Sequence, residues 1–221
     1  MIRKNKLVNA LCYIAFTLIE LLMVISIIAI LASILLPVLK QVKDQSKKIS
    51  CSNHLKQIAS GLFMYSDDFA GMLPPHGEVF DGSSNNVWQE YVAINYLNIP
   101  RSSLGVWNLR SNIMKCPADQ NPNSLHGLMS SYGMNYWITS SKTGKKLSQL
   151  KTPGQTFLAS DCYRGKYLIV GPLNVNVSRI TCRHPENKAG IFVYSEGHIS
   201  PKKIEDIGDY NATSTFWEGY L

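Results

Sequence analysis

Four side chains in the C-terminal half have the right types to hold a metal ion or move a proton: Asp161, His184, Glu196 and His198. Carboxylates and imidazoles ligate divalent metals and act as acids and bases near neutrality. They converge only if the strands that carry them pair. The plainer reading has Asp161 and His184 fixing strand ends by hydrogen bonds and Glu196 serving a turn. No H-E-x-x-H, G-x-S-x-G or phosphate-binding loop occurs, which removes the commonest hydrolase and nucleotide chemistries. Neither an enzyme nor a cofactor is expected. The acidic pairs Asp67-Asp68 and Asp206/Asp209 lack a calcium-loop pattern. Lys142, Lys145, Lys146 and Lys151, with Tyr136 and Trp137 nearby, form a small basic loop. A solvated hairpin accounts for it, and no nucleic-acid partner is expected.

The five cysteines are Cys12, Cys51, Cys116, Cys162 and Cys182. None forms a C-x-x-C pair, so a zinc ribbon or a thioredoxin-like centre is not indicated. The four after Cys12 suit two disulfides in an oxidising compartment, with three pairings open. Cys162 and Cys182 flank the strand-like Tyr167 to Val170, as neighbouring strands would, which makes Cys162–Cys182 the first expectation. Cys51 and Cys116 are the second.

These residues need elements to position them. The chain has 221 residues and a formal net charge of +7. From Phe16 to Leu39 it is almost wholly apolar, with Glu20 near the start and Pro37 near the end. A helix over this stretch would be roughly 36 Å long, against a hydrocarbon core of about 30 Å. A cleavable secretory signal has an apolar region of only about 7–15 residues and a small-residue exit, so a retained single span is expected. Arg3, Lys4 and Lys6 precede it, and Lys40, Lys43, Lys47 and Lys48 follow it, so flanking charge leaves the orientation open. An ionisable residue inside a membrane segment points to function.

"AFTLIELLMVISIIAILASILLP" resembles the N-terminal signature of type IV pilins and of type II secretion pseudopilins. The resemblance implies a basic leader over residues 1–15, cut by a prepilin peptidase between Ala15 and Phe16 on the cytoplasmic side, and N-methylation of Phe16. The family's usual residue before the cut is Gly; Ala15 is also small. Glu20 falls where the family keeps an acid for assembly, opposite the amine of a neighbouring subunit, and Pro37 where many pilins kink the helix. The implied partners are the peptidase, other pilin or pseudopilin subunits, an inner-membrane assembly platform and membrane lipid. The implied location is the inner membrane, with the leader in the cytoplasm and the domain in the periplasm or in an extracellular filament. The alternative is an anchored surface domain that is processed but does not polymerise, and that binds a metal or DNA.

Beyond the span, Val38, Val42 and Ile49 recur near helical spacing. Leu55, Ile58, Leu62 and Tyr65 follow at i, i+3, i+7 and i+10, which extends the helix to about residue 68. Pro74-Pro75 must end it. Val87 to Leu97 reads as a short helix. Tyr132 to Thr139, Thr156 to Ser160, Tyr167 to Val170 and Ile191 to Ser195 read as strands, with Glu196-Gly197 as a two-residue hairpin turn before "HIS". "CSNHLKQIASGLFMYSDDFAGMLPP", "MKCPAD", "SYGMNYW" and "RHPENKAGIFVYSEGHIS" are similar to pilin-like proteins with a C-terminal H-x9-DG element. Here eleven residues separate His184 from Glu196-Gly197, and Glu replaces Asp. The expected fold is α+β: a long N-terminal helix, membrane-spanning over 16–39 and continuing over 40–68, packed on an antiparallel sheet domain over 69–221.

Overall fold

A computed structural model describes residues 16–75, 88–100, 113–119, 130–139, 146–162, 168–169, 184 and 189–207. Residues 1–15, read above as a leader, and Cys182, Asp209, Lys142 and Lys145 lie outside these residues. Helix α1 runs from Leu18 to Asp68 and continues through Pro37. Two compact units divide the chain, one through Val42 and one from Lys43 onward.

The first unit is a single apolar helix, long and apolar enough to cross a membrane. From Phe16 to Leu39 every residue is exposed except Ala32, which is half-buried. Leu18 is 75% exposed and Leu36 67%. Leucines left this open on all sides of a helix need an apolar surrounding that the first unit does not itself supply.

The second unit is built around the later turns of α1. Cys51, Leu55, Ile58, Leu62 and Tyr65 are buried on one stripe, as their spacing requires at 3.6 residues per turn. Val38, Val42 and Ile49 do not extend this stripe: they are 51%, 59% and 55% exposed. Ile49 lies two residues, about 200° of helical turn, before Cys51, so it faces away from the buried side. The helix closes with Ala70 and Gly71 at positive φ and with the Gly71 amide donating to Ser66 O at 2.7 Å. This capping geometry satisfies one of the last carbonyls.

Helix α2 spans Trp88–Asn95, and Asn98 ends its last turn at φ 51°. The strands are β1 (Tyr132–Asn135), β2 (Phe157–Asp161), β3 (Leu168–Ile169), β4 (Ala189–Tyr194) and β5 (Ile199–Lys203). They form one sheet in the order β3-β1-β2-β4-β5. The pairs β1–β2, β2–β4 and β4–β5 are antiparallel. The two-residue β3 pairs parallel to β1, so the sheet is mixed at that edge. The strand expected to reach Thr139 stops at Asn135, where the Asn135 side chain accepts from the Trp137 amide and a 3₁₀ turn follows over Tyr136–Ile138.

Both faces of the sheet are covered. Ile191 and Val193 of β4 join Leu55, Ile58 and Leu62 of α1 in one core. Phe192 and Tyr194, on the other face, pack with Phe157, Cys162 and Ile207. The β2–β4 register shifts between Phe157 and Ala159. That bulge gives Leu158 and Ala159, adjacent in sequence, places in the same core. The β4–β5 turn has three residues, Ser195 to Gly197, rather than the expected two. Tyr194 N–H donates to His198 O at 2.9 Å, the Gly197 amide to Tyr194 O at 2.8 Å, and Gly197 takes φ +97°. Glycine at the left-handed last position is the usual chemistry of a three-residue hairpin loop.

At Gly61 α1 and α2 approach so closely that a Cβ would lie 2.7 Å from Val92 Cγ1 and 3.0 Å from Leu97 Cδ2. Val92 is fully buried and has no room to withdraw. Gly61→Val should therefore destabilise the folded unit by roughly 1–3 kcal/mol in denaturant titration. Ser60→Ala, one residue away on the exposed side, should stay within about 0.5 kcal/mol. Equal effects of the two would disprove the close approach.

Candidate functional site

Thr17 is the N-cap of α1, and Glu20 occupies its first turn. The Thr17 amide donates to Glu20 Oε2 at 2.9 Å, and its hydroxyl donates to the same oxygen at 2.6 Å. The Glu20 amide donates back to Thr17 Oγ1 at 3.3 Å. This reciprocal pair is a capping box, and the negative charge sits at the positive end of the helix dipole. The T-x-x-E before an apolar run is its sequence sign. The reading of Glu20 as an assembly acid passed over that sign. Both Thr17 bonds end on Oε2, which leaves Oε1 for another donor.

The two serines inside the span are satisfied in the same local way. Ser26 Oγ donates to Leu22 O, and Ser33 Oγ to Ile30 O, each at 2.7 Å. Every polar side chain between Phe16 and Leu39 thus finds its partner inside its own helix, which hydrocarbon requires. Pro37 has no N–H to give the Ser33 carbonyl.

In the folded unit, Cys51 of α1 and Cys116 form a disulfide with a Cα–Cα distance of 5.2 Å and a sequence separation of 65. This is the pair placed second from sequence. Cys162 is buried beside Asp161 at the end of β2. Its expected pairing with Cys182 falls outside the described residues. The closed loop from Cys51 to Cys116 contributes about 4 kcal/mol in the chain-entropy account.

The four candidate metal or acid–base residues do not gather. Asp161 Oδ1 accepts the Ile191 amide at 2.8 Å and the Ser160 hydroxyl at 3.2 Å, holding β2 to β4. Glu196 and His198 meet each other at 2.8 Å on the exposed hairpin, where the His198 ring stacks on Tyr194. His184 lies elsewhere: its Nε2 is 3.2 Å from Cys116 Sγ, with both residues buried. Cys116 and His184 are 68 residues apart, and nothing in their sequence context announces the contact.

The remaining candidates have structural tasks. Asp68 accepts the Tyr96 hydroxyl at 2.9 Å. Burial first, and then that bond to the Asp68 carboxylate, push the Tyr96 phenol well above its usual range. Burial, with Tyr91 nearby, pushes Tyr65 up to about 12. Trp137, beside the expected basic loop, packs against the Phe157–Phe192 core, and Lys146 pairs with Met72 in an isolated bridge. Comparison of the chain with family models, curated proteins and solved structures finds no match.

His54 is a pH-sensitive group of the folded unit. Its Nδ1 lies 3.1 Å from Lys115 O and 3.3 Å from the Tyr132 hydroxyl. A carbonyl only accepts, so Nδ1 carries the proton. Burial holds its pKa below the usual 6.5, against a smaller opposing effect of the bond to Lys115. Above the ordinary imidazole pKa of about 6.5 both folded and unfolded chains are neutral at this ring. As pH falls below that value the unfolded chain takes up the proton first, so folding stability is lost until the folded-state pKa is passed. Thermal melts from pH 7.5 down to 5 should show this loss in the wild type and a smaller one in His54→Gln. An unchanged slope in the variant would remove His54 as its source.

Proposed function

We propose that the chain is a pilin-like structural subunit: its leader is removed between Ala15 and Phe16, its span is retained in the inner membrane, and its copies assemble through their N-terminal helices. The observation that carries the reading is the span itself. Twenty-odd apolar residues are exposed on every side of α1, and their one acid is fixed at the helix start with an oxygen to spare. A helix that met only lipid would gain nothing from a charge beyond the cap, and Gln would close the capping box as well. An acid beside a new amine is different. After cleavage the Phe16 amine of a neighbouring copy is a cation about one helical turn, roughly 6 Å along the axis, from the level of Glu20, and a pair in low dielectric is far stronger than one in water. The resemblance of "FTLIELLMVISIIAILASILLP" to pilin helices supports the same assignment. The leader then lies in the cytoplasm and the folded unit on the other side, where the Cys51–Cys116 disulfide suits an oxidising compartment. Pilus and secretion pseudopilus are two uses of this one subunit type.

Replacing Glu20 separates capping from assembly. Glu20→Gln keeps an acceptor for the Thr17 amide and hydroxyl but loses the charge. Co-expressed with an assembly system, it should be cut and membrane-inserted like the wild type. In the sheared filament fraction it should fall by about tenfold or more, since each lost kcal/mol is repeated at every subunit contact. If filaments of the Glu20→Gln variant match the wild type, the acid serves the cap alone. If wild-type protein never enters the sheared fraction, the chain is an anchored domain that does not polymerise.

A further inference from the structure

The contact between His184 and the Cys51–Cys116 disulfide is more than packing needs. A disulfide sulfur is a weak acceptor, and a leucine or phenylalanine would fill the same apolar space without bringing a titratable ring into it. Cys51 and Cys116 are fully buried and His184 is 2% exposed. Their sulfur and nitrogen atoms all lie within 4.8 Å of one another. Two sulfurs and an imidazole nitrogen in one buried place are a thiophilic ligand set.

We propose that Cys51, Cys116 and His184 are the three protein ligands of a buried zinc site that exists when the disulfide is reduced, the disulfide being its metal-free, oxidised form. The distances fit. Tetrahedral zinc with Zn–S near 2.3 Å and Zn–N near 2.0–2.1 Å spaces its ligand atoms about 3.5–3.8 Å apart. His184 Nε2 is already 3.2 Å from Cys116 Sγ, and two sulfurs released from their bond separate to about that spacing. Charge selects the ion. Two thiolates and Zn²⁺ sum to zero, which a buried site tolerates, whereas Cu⁺ would leave one negative charge uncompensated. With no oxygen among these ligands, Mg²⁺ and Ca²⁺ are excluded.

Each ligand is also held independently of the disulfide. Cys51 belongs to α1. Cys116 lies in a turn closed by the Asp119 amide on Cys116 O at 2.9 Å, and Ser131 N–H holds Met114 O at 2.8 Å. His184 exchanges both backbone bonds with Ala189, at 3.1 and 2.7 Å. Bonds other than the S–S bond thus hold each ligand's backbone in place. The chemistry balances: a dithiol gives two electrons and two protons to the disulfide and becomes a disulfide itself. Zn²⁺ then displaces both thiol protons to solvent.

The test uses the full chain in detergent, reduced under argon with a phosphine, whose oxidation to phosphine oxide draws its oxygen from water. Cobalt(II) is the probe, followed by Zn²⁺. The reduced wild type should bind one equivalent of cobalt with a thiolate-to-cobalt charge-transfer band, and Zn²⁺ should abolish the band. The oxidised chain and the Cys51→Ser/Cys116→Ser variant should give no such band, while His184→Ala should bind about tenfold or more weakly. Near-UV circular dichroism reports the fold of each form. A reduced, folded wild type with no cobalt band overturns the proposal. So does a His184→Ala affinity equal to wild type, which would leave His184 only the task of anchoring β4. A reduced chain that has unfolded and that Zn²⁺ does not refold overturns it as well.

Discussion

A polar group in hydrocarbon must be satisfied by its own helix or by a neighbouring one, and this constraint governs the whole N-terminal unit. Thr17 and Glu20 satisfy each other across the first turn, while Ser26 and Ser33 bond back to carbonyls three or four residues earlier. The helix is thereby a complete object in lipid, with no side chain forcing a partner on it. What remains is a carboxylate whose charge the cap uses only in part. The proposed assembly rests on that remainder.

The same helix meets a different demand after Val42. There Lys43 and Lys56 are exposed, Lys47 and Lys48 are half-buried, and the buried stripe from Cys51 to Tyr65 takes up one face of the sheet. Gly61 permits the closest approach of α2, and Cys51 ties α1 to the segment before β1. The disulfide, the glycine and the stripe all lie on turns that follow the span. The sheet's second face is closed by Phe157, Phe192 and Tyr194, so β4 is buried on both sides and reads in sequence as an unbroken apolar run, "AGIFVY".

Periodicity made much of this visible in the sequence. Leu55, Ile58, Leu62 and Tyr65 announce their shared face because helical spacing is a local property, and so does the length of the span. The hairpin at Glu196-Gly197 was visible through its glycine, though not its three-residue length, which depends on which backbone bonds close it. Val38, Val42 and Ile49 fitted the spacing only loosely, and their exposure shows how little three positions constrain a face. The parallel pairing of β3 and the bulge at Leu158 are set by tertiary packing and have no local sign. Four cysteines leave three pairings open, and only the fold brings Cys51 to Cys116 and sets His184 against them. Asp161 and Glu196 serve a strand junction and a hairpin, as the plainer reading had them, while the contact of His184 with Cys116 had no sign in the sequence: ligand types are legible there, but long-range proximity is not.

Assembly through Glu20 depends on Phe16 becoming an N-terminus about one helical turn from it. Intact-mass analysis of the chain extracted from membranes, in cells that contain a prepilin peptidase, measures this directly. The predicted species begins at Phe16, lacks Met1 to Ala15, and carries at most one added methyl on its amine. A membrane-bound chain whose mass still includes Met1 to Ala15 would contradict the account, because Glu20 would then have a cap to serve and no neighbouring amine to meet.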